Sequence, residues 1–264
     1  MLLVASGCFW LLQVRFLLEF CLIPFDERPV RDQPTFGALK ASGVLAFGQV
    51  PLLEMDGLAL VQTQAILRYV AGKKGLRGAT AADEARADMA VNGIFDARMP
   101  LITARFGADP HAALAKFGAA TLPKLCAHLE SLLQTHSGPY LCEGGLTYAD
   151  VALLELLCYA ADELEGGVEG PLRGCPRVLA HFEHMSGFEH VRSYLSAERR
   201  KPPPDAAFVR RTCAILGMAV PAHAQEHARS PVESPVAQAA ARVPWTTIGL
   251  ALAGAVAVAV ARRT

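Results

Sequence analysis

The hydrophobic pattern changes period along the chain, and the change divides it. From Met1 to Pro24 most residues are apolar, with Arg15 and Glu19 breaking the run. Two readings fit: the apolar stretch of a signal peptide, or a buried strand followed by a buried helix. The lack of an early positive charge and the two interior charges weigh against the first. Leu17 to Ile23 suits a helix, and Pro24 and Pro29 then break the chain into an extended stretch. Gly48-Gln49-Val50-Pro51 leads into a short strand, Leu52 to Met55; Asp56-Gly57 is a hairpin turn, and Leu58 to Val61 is the return strand. Gln62-Thr63 opens a helix whose apolar stripe is Ile66, Leu67, Val70 and Ala71, and residues 72–78 end that unit.

After Ala79 the strand signals fade and helical spacing takes over. The spacing predicts a helix over 85–106 with Met89, Ile94 and Phe95 on its apolar side, and a second over 111–136 interrupted near Pro123. Thr147-Tyr148-Ala149-Asp150 reads as a capping box: Thr147 caps the helix and Asp150 bonds back to its amide. The run Val151 to Leu164 is apolar almost all round, so it belongs at the centre of a helical domain. Shorter helices follow at 178–185 and 188–195. The order is βα-ββα and then helices only, which implies domains at 1–78 and 79–218.

The pattern changes again towards the C-terminus. Residues 219–243 hold Pro221, Pro231 and Pro235 among Ala, Ser, Glu and Gln, with no helical stripe, and read as a flexible linker. In the segment 244–264, no charge falls between Trp245 and Ala261, and Arg262-Arg263 follow. A helix of that length rises about 25 Å, a little short of a ~30 Å hydrocarbon core. The aromatic edge and the paired arginines suit a tail anchor; the rival reading is a buried or disordered Ala-rich tail.

Composition narrows the classes. Apolar residues make up 52% of the 264, enough for two cores. Lys plus Arg and Asp plus Glu balance at 25 each, which speaks against a nucleic-acid binder. The seven cysteines are scattered without a CxxC pair, so neither a zinc ribbon nor a redox motif is supported, and reduced core thiols are the plain reading. His181, His184 and His190 lack a third-ligand pattern and read as surface histidines, and there is no Walker or Rossmann glycine pattern.

Four blocks carry a family resemblance: Phe47-Gly48-Gln49-Val50-Pro51 with Glu54-Met55-Asp56-Gly57; Leu60 to Tyr69; Leu146 to Val151 through Leu157; and Arg200-Lys201-Pro202-Pro203. In this order and spacing, across 15–218, the chain resembles the alpha-class glutathione transferases. The resemblance implies an α/β thioredoxin-like N-terminal domain, an all-α C-terminal domain and a homodimer. It implies transfer of the glutathione thiol to a small hydrophobic electrophile, as in xenobiotic detoxification, with glutathione as co-substrate and no further cofactor. Pro51 resembles the family's cis-proline, presenting the Val50 backbone to the cysteinyl part of glutathione as an added strand would. Gln62 and Thr63 stand at a helix N-terminus, where amides and the dipole favour the γ-glutamyl carboxylate. Lys40 falls where the family places a base against the glycyl carboxylate, Gln49 fits a supporting amide, Asp96 matches the acid that reaches the partner subunit's glutathione, and Lys124 stands near a basic position on the same dimer edge. Asp150 resembles a structural cap.

The N-terminus departs from the family. Alpha-class members end their first strand in a tyrosine whose hydroxyl donates to the glutathione sulfur, followed by Arg-Gly-Arg; here Val4 occupies that place, and no tyrosine occurs before Tyr69. A thiol of pKa near ~8.5 needs such a donor to be a thiolate at neutral pH. Ser6 is the catalytic candidate, with Cys8 nearby; the bland reading of both is small filler in a divergent turn. The alternative function is a membrane-tethered, transferase-like scaffold with little or no turnover, and a third is a carrier of lipophilic ligands. The anchor suggests a head facing the cytosol from the mitochondrial outer membrane or a peroxisome; without it the protein is cytoplasmic.

Overall fold

The computed structural model describes residues 2–5, 9–201 and 203–225, with side chains from Leu11 onward. Ser6, Cys8, most of the expected linker and the whole 244–264 segment lie outside the described residues.

The N-terminal domain runs β1 (Leu2–Ala5), α1 (Phe9–Phe20), β2 (Asp26–Pro29), α2 (Gln33–Ala41), β3 (Leu52–Met55), β4 (Leu58–Val61) and α3 (Thr63–Lys73). Its sheet has the order β2-β1-β3-β4, with β1 parallel to β2 and antiparallel to β3. The apolar start is therefore a strand and a helix: Val4 pairs with Arg28 on one side and Leu52 on the other, and α1 buries Leu11, Val14, Leu17 and Leu18. The β3–β4 hairpin closes through Asp56 (φ 51°) and Gly57 (φ 78°), the paired left-handed conformation that favours Asp-Gly in a two-residue turn.

Helix α2 interrupts the stretch read as extended. Asp32 caps it, its Oδ1 accepting from Thr35 N at 2.8 Å, and Pro34 lies in its first turn. Phe36 is the one buried residue of α2, so no stripe signalled the helix. Asp followed by Pro within two positions was the available cue.

The helical domain comprises α4 (Ala81–Ala104), α5 (Pro110–Lys116), a π turn at Phe117–Thr121, α6 (Leu122–Leu133), α7 (Tyr148–Glu163), α8 (Pro176–Ser186), α9 (Glu189–Leu195), α10 (Ala206–Leu216) and α11 (Ala222–Gln225). Helix α7 is its axis: every residue from Tyr148 to Ala160 is buried. Its capping box forms as expected, with Thr147 N donating to Asp150 Oδ2 at 2.8 Å. Asp150 Oδ1 also accepts from Leu141 N at 2.7 Å and lies 2.9 Å from His181 Nε2. His181 is thus a buried core residue, not the surface histidine the sequence suggested.

Two further expectations change. Met89 does not face the core; it is 54% exposed. The buried side of α4 runs through Ala87, Ala90, Val91, Ile94, Arg98 and Leu101. Met89 precedes Ile94 by five residues, which is about 140° round the helix. The interruption near Pro123 begins earlier, as the π turn, where Leu122 N reaches back to Phe117 O. Pro123 has no N–H to continue the α ladder, so the preceding turn widens.

Helix α10 crosses back to the first domain. Its Ile215 joins Val30, Phe36, Leu45, Leu52 and Val61 in a core cluster beneath α2. Residues 219–225, read as the start of the linker, instead hold α11, whose Ala224 is buried against Val209 and Cys213 while its carbonyl accepts from Arg210 Nη1 at 2.7 Å. Among the described residues no helix is long and apolar enough to cross a membrane.

Candidate functional site

The site grows from the open end of the β3–β4 hairpin. Leu52 pairs with Val61, so Pro51 and Gln62 lie one step beyond, side by side. The Val50–Pro51 peptide is cis, and Pro51 is buried. At Gln62 the chain leaves β4 with φ 71° and ψ 109° and enters α3. A non-glycine residue with positive φ is uncommon and draws attention to a site.

The Gln62 side chain does not cap α3. Its Nε2 donates to Gln49 Oε1 at 3.0 Å, which joins the segment before β3 to the segment after β4. The first intrahelical acceptor is Gln62 O, bonded by Ile66 N at 3.0 Å. The amides of Thr63, Gln64 and Ala65 therefore have no partner within the helix, and the positive end of its dipole points the same way. Thr63 is buried at this mouth.

Lys40, in the last turn of α2, reaches Gly48 next to Gln49. Its ammonium sits 4.4 Å from the Phe36 ring centroid, and its Cε lies against Gly48, 3.9 Å from where a Cβ there would stand. Gly48 has φ 64°, which lets the chain turn under the lysine. The structure so groups Gln49, Val50, Pro51, Gln62 and Thr63, with Lys40 beside Gly48: a cation, two amides, the half-buried approach to a strand and an open helix mouth. Those groups complement a ligand with carboxylates at its ends and a peptide backbone between.

Asp96 and Lys124 are not part of that group. Both are exposed, on α4 and α6, without a hydrogen bond or ion pair to any cradle residue. A small cleft elsewhere, between α1 and α7, is lined by Leu12, Phe16, Cys158, Tyr159 and Tyr194 and bordered by Arg200, which is paired with Asp162. Among the described residues no group of three His, Cys, Asp or Glu side chains is placed to hold a metal.

A connection that the sequence did not reveal lies behind α3. Arg68 Nε donates to Asp88 Oδ2 of α4 at 2.8 Å, and the buried Tyr148 hydroxyl at the start of α7 donates to Asp88 Oδ1. Burial, then the hydrogen bond to Asp88, raises the Tyr148 pKa, so that hydroxyl remains a donor. Nothing in the local sequence pairs Arg68 with Asp88; only the crossing of α3 and α4 does.

Comparison with known proteins bears on the family and the two-domain fold. Residues 2–72 match the glutathione S-transferase N-terminal domain, and residues 95–198 match the glutathione S-transferase C-terminal domain. Mouse glutathione S-transferase A3 is 33% identical over 204 residues, covering 74% of this chain and 88% of that protein. Mouse glutathione S-transferase A2 is 35% identical over 201 residues, covering 73% and 86%. The solved glutathione S-transferase of Ascaris lumbricoides superposes with a TM-score of 0.64 at 23% identity, over 77% of this chain and 98% of that one, a likeness of fold. With both domain models matched in order and a third of the residues shared across most of the relatives' length, the chain belongs to the glutathione S-transferase family.

Proposed function

We propose that this protein is a glutathione transferase that joins the glutathione sulfur to hydrophobic electrophiles. The observation that carries the reading is the convergence of Gln49 and Gln62 at 3.0 Å beside the uncapped mouth of α3. In this reading the α3 amides and the Thr63 hydroxyl hold the γ-glutamyl carboxylate, the Val50 backbone pairs with the cysteinyl unit, and Lys40 holds the glycyl carboxylate. The sulfur then stands over Pro51. The thiol gives its proton to bulk water, the thiolate forms a carbon–sulfur bond with the electrophile, and the leaving group departs with the bonding pair. Ser6 is the donor assigned to the thiolate, in place of the family's tyrosine. Ser6→Ala lowers kcat/KM by roughly ten- to a hundredfold, as loss of a hydrogen bond to a charged group does; an unchanged value removes Ser6 from the mechanism.

The same reading makes the protein a homodimer, with Asp96 and Lys124 serving the partner's site, and tethers it through residues 244–264 to a membrane, with the head in the cytosol. The test of the enzyme itself is glutathione-dependent conjugation of an activated aryl halide by purified protein. Turnover that saturates with glutathione supports the reading. Glutathione binding without turnover turns it into a scaffold.

A further inference from the structure

Helix α3 is held on three sides. Ile66, Leu67 and Val70 bury against the core shared with α1. Asp56 in the β3–β4 turn accepts from the Tyr69 hydroxyl at 2.8 Å and pairs with Lys73 at 3.0 Å. Both of these ties stay inside the N-terminal domain. The third leaves it: Arg68 to Asp88 on α4, with Tyr148 of α7 on the other oxygen of the same carboxylate. One half-buried carboxylate thus receives a donor from each of two elements while standing on a third.

The location matters for the site. Arg68 follows Thr63 by five residues, about 7.5 Å along the helix axis. Because α3 is one continuous helix from Thr63 to Lys73, a change in its seating at Arg68 is transmitted to the amides at its mouth. Asp88 also precedes Asp96 on α4 by eight residues, about 12 Å. The Asp88 carboxylate therefore links the helix proposed to bind the γ-glutamyl end of glutathione to the helix proposed to serve the neighbouring subunit's glutathione.

We propose that Asp88 is a positioning residue for glutathione: through Arg68 it sets the orientation of α3, and with it the aim of the α3 mouth. The proposal rests on the glutathione reading above. It touches no reacting atom, so its signature is a split between kinetic constants. Asp88→Asn keeps the shape but removes the charge that Arg68 meets. The KM for glutathione rises roughly tenfold, the worth of one charge-assisted hydrogen bond. The KM for the aryl halide and kcat at saturating glutathione stay within about twofold, because uniform binding alone is lost.

Arg68→Gln, which alters the more exposed partner, gives the same split and covers the case in which Asp88→Asn fails to fold. Asp88→Glu restores most of the affinity by keeping the charge. Equilibrium binding of glutathione to full-length protein, followed by calorimetry, reads the same change without turnover. Wild-type protein that binds glutathione, with Asp88→Asn and Arg68→Gln binding equally well, overturns the positioning role alone. Wild-type protein that does not bind glutathione overturns the functional reading and this inference with it. Variants that lose thermal stability and apparent kcat while both KM values stay unchanged assign Asp88 a merely structural role.

Discussion

The Gln62 carboxamide turns away from the helix it precedes and donates to Gln49 at 3.0 Å, so the first amides of α3 stay open. An ordinary cap would have taken up one of them. Replacing Gln62 and Thr63 together by alanine removes the bridge and the hydroxyl, and weakens glutathione affinity by at least about tenfold, one charged hydrogen bond's worth; calorimetric titration checks it. These residues were legible in the sequence because strand, turn and helix follow one another within a few positions. Asp88 and Arg68 were not, since their meeting depends on how two distant helices cross. The buried Cys126 and Cys158 and the half-buried Cys21 give a second expectation. Burial pushes Cys158 and Cys126 up to about 12 and Cys21 up to about 11, from an ordinary value of 9.0. The folded state keeps protons that the unfolded chain releases above pH ~9, so the contribution of these groups is complete below that pH and is lost as pH rises from 9 towards 11–12. Urea midpoints measured from pH 7 to 10.5 should be level at first and then decline; a rise above pH 9 would contradict this. Cys126 and Cys158, both buried, react slowly with an aromatic disulfide reagent until the protein is unfolded.

At the scale of elements, α7 and the helices around it depend on charges buried among apolar residues. Asp150 is fully buried and accepts from Leu141 N, Thr147 N and Thr147 Oγ1, with His181 Nε2 beside it. Asp150→Ala leaves those donors without their acceptor and costs about 2–4 kcal/mol, a cap plus buried hydrogen bonds, read from urea unfolding. Arg98 is buried completely on α4 and forms a bidentate pair with Glu155 of α7, with its guanidinium 5.3 Å from the Tyr159 ring centroid. Arg98→Met alone strands Glu155 and costs about 3–5 kcal/mol, whereas Arg98→Met with Glu155→Leu recovers most of that loss. A double-mutant cycle tests the pair. The capping box was plain in the sequence because its residues are three apart. The Arg98–Glu155 pair was hidden because a charge on a helix is ordinarily a solvated one, and α2 was hidden because it buries a single residue.

The order of elements along the molecule is the one the hydrophobic pattern marked: strand and helix signals together, then helices alone. The structure adds how the halves are tied, through α1 on α7, Asp88 between α3 and α4, and Ile215 of α10 under α2. That last tie was unreadable because a lone isoleucine near the end of a helix does not announce its partner. The proposed tether makes its own prediction at this scale: if it holds, deleting residues 244–264 moves the protein from the membrane fraction to the soluble one, and unchanged sedimentation would contradict it. The central claim is that the 49–51 segment and the α3 mouth together bind glutathione for transfer. Its most direct test is the rate of aryl-halide conjugation against glutathione concentration, for wild type and for Gln62→Ala with Thr63→Ala. The account predicts a saturating curve for the wild type, and for the double variant a curve shifted to at least about tenfold higher glutathione. Identical curves, or no glutathione-dependent rate in the wild type, would contradict it.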